Sequence, residues 1–181
     1  MGRIGGPDSR GHVARVGNVL FGADVLVSQW VAEKIPGCNP TAGAKALGVM
    51  KDGNIVAGII YDDWNGVHLT AAIAAVPGSQ WADRRTLHAL FFYPFVTLDC
   101  EAISVAVPAS NLPSLNLATK LGFVPEAIIQ FAAHDGSSLI VLKQFRKNCR
   151  WVRDDGEKRR RNTIGTGSSG NGGSGSPVQP A

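Results

Sequence analysis

The spacing of apolar residues changes period several times along the chain, and each change marks an element. Val27, Trp30, Val31 and Ile35 recur at helical spacing and predict a helix over 24–35, closed by Pro36-Gly37. Residues 19–21 read as a short first strand ahead of it. Residues 46–51 and 55–61 read as strands joined by Asp52-Gly53-Asn54, a hairpin. Asn65-Gly66 signals the next turn and leads into 67–76, an apolar run long enough for a central strand.

The period then returns to helical. Leu87, Leu90, Phe91, Phe95 and Leu98 form one buried stripe and predict a helix over 83–98, which Pro94 should kink or shorten. Residues 102–107 read as a strand. Ser110 or Asn111 can cap a following helix, with Pro113 in its first turn, Lys120 in its last and Gly122 just beyond. Residues 127–132 and 139–145 read as two last strands, connected through His134-Asp135-Gly136. The expected order is β-α-β-β-β-α-β-α-β-β. The fold class is α/β (α+β), a mixed and mostly antiparallel sheet with one strand–helix–strand unit and flanking helices.

Composition and charge add the flanks. Residues 1–17 read as a flexible arm, 18–145 as the domain, 146–161 as a basic segment and 162–181 as a disordered tail. The tail holds six glycines, four serines and two prolines, too little apolar surface to offset ordering entropy. Residues 143–161 carry nine Lys/Arg against three acids, a net +6 that leaves −2 for the rest of a +4 chain. Basicity is therefore local. Phe145 and Trp151 lie within it, so the segment reads either as a solvated linker or as a weak nucleic-acid contact.

Cys38, Cys100 and Cys149 are odd in number and widely spaced, which argues against a disulfide framework and against a metal. They read as reduced thiols of a cytoplasmic protein. No run of about 18 apolar residues spans a membrane, and residues 1–17 lack the apolar core of a signal peptide.

One stretch resembles a known family. Asn111-Leu112-Pro113-Ser114-Leu115-Asn116-Leu117-Ala118-Thr119-Lys120-Leu121-Gly122-Phe123 is similar to the block of GNAT (GCN5-related) N-acetyltransferases with an Asn, a small residue three later and a Lys-Leu-Gly-Phe ending. The order of elements over 20–145 agrees. Tyr61-Asp62-Asp63-Trp64-Asn65 and Phe92-Tyr93-Pro94-Phe95 resemble segments of short GNAT-like proteins of tailed phages, some of them virion components.

The resemblance implies acetyl-CoA as cosubstrate and an amine as acceptor. It implies a splay between the two parallel strands for the pantetheine arm, lined by Ala74 and Val76, and a phosphate loop over 77–85. In that loop Gln80 matches the family, whereas Asp83 and Arg85 stand where it has glycines; Arg84 and Arg85 supply compensating charge. A plain helix start capped by Asp83 is the competing reading. Asn111 and Ser114 lie beside the cofactor in the family, or simply cap a helix here.

Acetyl transfer needs the acceptor amine deprotonated and the leaving thiolate protonated. The family's usual tyrosine acid falls at Ala118, so that acid is absent. His68 is the strongest candidate base, since an imidazole titrates near neutrality; Asp62, Asp63 and His88 are weaker ones, and Asn111 is a second candidate catalytic residue. Three readings stay open: an acetyl-CoA-dependent N-acetyltransferase, a catalytically degenerate structural protein of a phage particle with protein partners, and a nucleic-acid-binding module.

Overall fold

The structure is a computed structural model that describes residues 13–152. The glycine- and serine-rich tail, the cluster Lys158 to Arg161 and most of the N-terminal arm lie outside the described residues.

Among the described residues, eight strands build one sheet: β1 (Ala14–Val16), β2 (Val19–Phe21), β3 (Lys45–Lys51), β4 (Asn54–Asp62), β5 (His68–Ala75), β6 (Ala102–Pro108), β7 (Val124–Ile129) and β8 (Leu139–Phe145). Their order is β1-β2-β3-β4-β5-β6-β8-β7. Only β5 and β6 run parallel, as the single strand–helix–strand unit requires. The helices are α1 (Asp24–Ala32), α2 (Arg84–Phe92) and α3 (Leu112–Leu121).

α1 stops at Ala32 where the pattern predicts 35, β7 stops at Ile129 where it predicts 132, and three further boundaries depart from the sequence expectation. Residues 14–16 of the expected arm form β1, folded onto β2 around Gly17. β7 starts at Val124, not at 127, because Gly122 in the left-handed region turns the chain straight from α3 into the sheet while Leu121 and Phe123 stay buried. The packed chain also runs on to Val152. Cys149 and Val152 are buried, and Trp151 stacks on Phe91 with ring centroids 6.5 Å apart. Trp151 is thereby half-buried against the core, with the Arg150 guanidinium 4.4 Å from its ring centroid.

The two sheet faces are covered unequally. Leu87, Leu90 and Phe91 of α2 and Ala118 and Leu121 of α3 pack with Leu47, Ile59, Leu69, Ile103 and Leu142 on one face. Each of these leucine, isoleucine and phenylalanine side chains contributes on the order of 2 kcal/mol by leaving water. On the other face Val27 and Val31 of α1 sit on Ala46, Ile60 and Ala74. Gly48 and Gly58, opposite each other on β3 and β4, let α1 come close: a Cβ on Gly58 would lie 2.7 Å from Val31 Cγ2. This cluster ends at β5. The same face continues over β6 and β8 with Ser104, Lys143 and Phe145.

Pro94 acts as expected on α2, by a specific route. Having no N–H, it cannot serve the carbonyl of Leu90, and the helix widens into a π-turn over Tyr93–Thr97, where Leu98 N donates to Tyr93 O at 3.0 Å. The orphaned Leu90 carbonyl accepts instead from the buried Tyr61 hydroxyl at 2.6 Å.

Candidate functional site

The parallel ladder between β5 and β6 is short. It pairs His68 with Ala102, Leu69 with Ile103 and Thr70 with Ser104, then stops, although β5 continues to Ala75 and β6 to Pro108. On their outer sides both strands stay paired along their length, β5 to β4 and β6 to β8. The sheet thus opens as a wedge with its apex at Thr70 and Ser104.

Backbone alternation decides which residues of β5 face the wedge. Val67 O accepts from Glu101 and Ala102 on the β6 side, whereas Val76 N donates to Val56 O of the β4 side at 2.8 Å. Odd-numbered residues therefore turn their peptide groups toward β6, and Ala71, Ile73 and Ala75 present theirs to the wedge. This corrects the expectation for Ala74 and Val76. Their backbone groups face β4, and the Ala74 side chain is buried under α1.

The mouth of the wedge is flanked by the starts of α2 and α3. At α2, Asp83 is the N-cap: its Oδ1 accepts from Arg85 N at 2.8 Å and Thr86 N at 2.9 Å, and its Oδ2 from the Thr86 hydroxyl at 2.8 Å. These bonds, that from Thr86 N foremost, hold the Asp83 carboxyl below the usual carboxylate range. The amides that would seat a phosphate are already taken by a carboxylate, so the helix-capping reading of this loop is the one realised. Arg84 and Arg85 are exposed beside it. Gln80, in the left-handed region with φ 49°, lines a recess of about 120 Å³ with Val49, Lys51, Val56 and Trp81. That recess is on the β3–β4 side of β5, away from the wedge.

At α3, Asn111 Oδ1 accepts from Ser114 N at 3.2 Å. Both candidates thus serve the cap. Asn111 also lies beyond the far end of β6 from Ala102, the residue opposite His68. Six residues of strand, about 20 Å, separate it from His68, so the two do not form a catalytic pair.

The apex carries a polar constellation drawn from three strands. His68 Nε2 lies 2.7 Å from Ser104 Oγ, and Ser104 is buried. Ser104 is opposite Lys143 on β8, which binds Glu126 at 2.7 Å. Asp63 accepts from the Thr70 hydroxyl at 3.1 Å. Burial first, and the Lys143 ammonium second, push the His68 imidazole below its ordinary value against the opposing pull of Asp63. It is therefore neutral at pH 7 and able to accept a proton. Sequence reasoning reached His68 but missed Ser104 and Lys143. Nothing local marks a serine in a strand; only the β5–β6–β8 register brings these groups together.

Cys38, Cys100 and Cys149 are free, and burial raises all three thiols above their ordinary values. Among the described residues no three His, Cys, Asp or Glu gather as a metal would need, and no helix is long and apolar enough to cross a membrane.

No protein-family model matches the chain, and no curated protein does. Solved structures do. One named "Probable acetyltransferase" aligns with a TM-score of 0.52 at 13% identity, over 59% of this chain and 64% of that one, just under two thirds of its length. A chimera of the spermidine N-acetyltransferase SpeG from Vibrio cholerae and hSSAT aligns at 0.53 and 16% identity, over 61% and 70%. The dodecameric Vibrio cholerae spermidine N-acetyltransferase aligns at 0.51 and 17%, over 59% and 67%. At such identities the likeness is one of architecture: the chain has the fold of the GNAT acetyltransferases.

Proposed function

We propose that the chain is an N-acetyltransferase taking its acetyl group from acetyl-CoA and passing it to an amine. The observation that carries this reading is the wedge: a ladder that stops at Thr70 and Ser104 with a neutral, half-buried histidine at its apex. The peptide groups of Ala71, Ile73 and Ala75 suit the amides of a pantetheine arm. The exposed apolar side chains of Val76 and Leu112 stand at the mouth. The bound thioester supplies an activated acyl group. The protein's part is to hold that arm between β5 and β6 and to receive the acceptor's ammonium proton at His68 Nδ1, with Nε2–H donating to Ser104 Oγ and so fixing the ring and its tautomer.

A second reading rests on Asp83. Its carboxylate fills the α2 amides, and with Ala118 in place of the family's acid it favours a degenerate acetyltransferase fold that serves as a structural component with protein partners, such as a phage particle. The unpaired stretch of β5 and β6 beyond Thr70 and Ser104 favours the enzyme.

Calorimetric titration of the full chain with acetyl-CoA separates the two. Micromolar binding that Ile73→Pro abolishes supports the transferase. No heat at millimolar cofactor overturns it in favour of the structural reading.

A further inference from the structure

A cavity of about 490 Å³ opens at the end of the sheet opposite the mouth of the wedge, enclosed by the loop ahead of β3, the β4–β5 loop and the π-turn. Its size suits a small organic molecule. Tyr61, Leu69, Tyr93 and Leu98 give it an apolar and aromatic wall. Tyr61 and Tyr93 are in ring contact, with centroids 5.3 Å apart. Trp64, also lining it, is 55% exposed although its indole approaches the Cys100 thiol.

The charged groups of the lining are Asp62, Asp63 and Lys45. Lys45 is paired with Asp24 at 3.2 Å. Neither Asp62 nor Asp63 is in an ion pair with a described residue. Asp62 is fixed by the Thr41 amide at 2.8 Å and hydroxyl at 2.6 Å, and Asp63 by the Thr70 hydroxyl at 3.1 Å. Neutral donors orient these carboxylates without cancelling their charge. The cavity thus combines an aromatic surface with uncompensated negative charge, the two features that together select an organic cation over a neutral or anionic molecule.

We propose that this cavity is a binding site for a small ammonium ion with an aromatic or branched apolar body, held with its charge at Asp62 and Asp63 and its body against Trp64, Tyr93 and Leu98. The site holds whether or not the wedge takes a thioester, because β5 offers Leu69 to the cavity and Ala71, Ile73 and Ala75 to the wedge. An acceptor amine and a regulatory ligand share this chemistry.

The test is calorimetry of the full chain with 2-phenylethylammonium, with 2-phenylethanol as its neutral counterpart, and with ethylammonium as the cation lacking the ring. The aromatic cation is expected to bind about tenfold or more tightly than either control, and Asp63→Asn and Trp64→Ala are each expected to weaken it about tenfold. Equal binding of 2-phenylethanol, affinity unchanged by both substitutions, or no heat from the cation at millimolar concentration overturns the proposal. Should Trp64→Ala lose its folded circular-dichroism spectrum, Asp63→Asn with the two controls decides alone. Acetyl-CoA titrated separately reports on the wedge, so failure at one site is not mistaken for failure at the other.

Discussion

The hydroxyl of Tyr61 donates to the carbonyl of Leu90 at 2.6 Å, the acceptor that Pro94 leaves without a backbone donor. One side chain on β4 thereby repairs the hydrogen-bond gap that a proline opens in α2. Tyr61 is buried, and burial raises its phenol well above the ordinary value, so the group remains a donor throughout the accessible pH range.

Tyr61→Phe keeps the ring and removes only that donor. It strands a buried carbonyl and is expected to cost about 1–3 kcal/mol, read as a lower urea midpoint at unchanged slope. Pro94→Ala should restore part of the loss in the double variant, because residue 94 then carries its own N–H. A double variant no more stable than Tyr61→Phe alone would break this account.

Asp83 makes opposite predictions for stability and for cofactor binding. Asp83→Ala removes an N-cap and should destabilise the chain by about 1 kcal/mol. The same change frees the Arg85 and Thr86 amides and removes a charge that repels phosphate, so acetyl-CoA should bind more tightly. The cap is also pH-dependent. The folded carboxyl titrates below its unfolded value, so its stabilisation is complete above the ordinary carboxylate range and fades as pH falls through the folded pKa. Paired melts at pH 7 and pH 3 check this: the gap between wild type and Asp83→Ala should be narrower at the lower pH.

The sequence resolved the elements whose signals are local. The α2 stripe, the Asn111 cap, Gly122 after α3 and the turn at Asp52-Gly53 each stand where the pattern put them. What it did not resolve depends on register. That Ala71, Ile73 and Ala75, not Ala74 and Val76, face the wedge follows from which neighbour Val76 bonds, and periodicity is silent on that. The partnership of His68 with Ser104 joins residues 36 apart through a parallel pair. The start of β7 at Val124 is not legible in the sequence because Val124, Pro125 and Glu126 show no alternation, the bulge between Pro125 and Ala127 breaking it. Cys149 and Val152 are buried although they lie in a basic run, whose composition does not show that packing continues past 145.

For His68, the lowered pKa fixes the direction of two measurements. The folded ring loses its proton at lower pH than a free imidazole, whose value is about 6.5. Its contribution to stability is therefore present above that value and is lost as pH falls toward the folded pKa. If His68 receives the acceptor's proton, the acid limb of the acetylation rate lies below about pH 6.5. His68→Gln should lower the neutral-pH rate about 10²- to 10⁴-fold and remove that limb. Lys143→Met, by deleting the neighbouring positive charge, should move the limb to higher pH. A limb unmoved by Lys143→Met would assign the titration to another group.

Gly58 tests how closely α1 must approach the sheet. Its backbone lies in a strand, so alanine is conformationally acceptable there, and the objection is one of space. The added methyl would stand 2.7 Å from Val31 Cγ2 and 3.1 Å from Val27 Cγ1, both of them fully buried side chains. Either the valines leave their rotamers or α1 moves outward, and such overpacking costs about 1–3 kcal/mol. Gly58→Ala should therefore lower the thermal midpoint although alanine favours no less ordered a strand than glycine. Val31→Ala, which opens room for the new methyl, should recover part of the loss when combined with it. Additive destabilisation in the double variant would mean that the two side chains do not meet, and that α1 sits further from β4 than this packing requires.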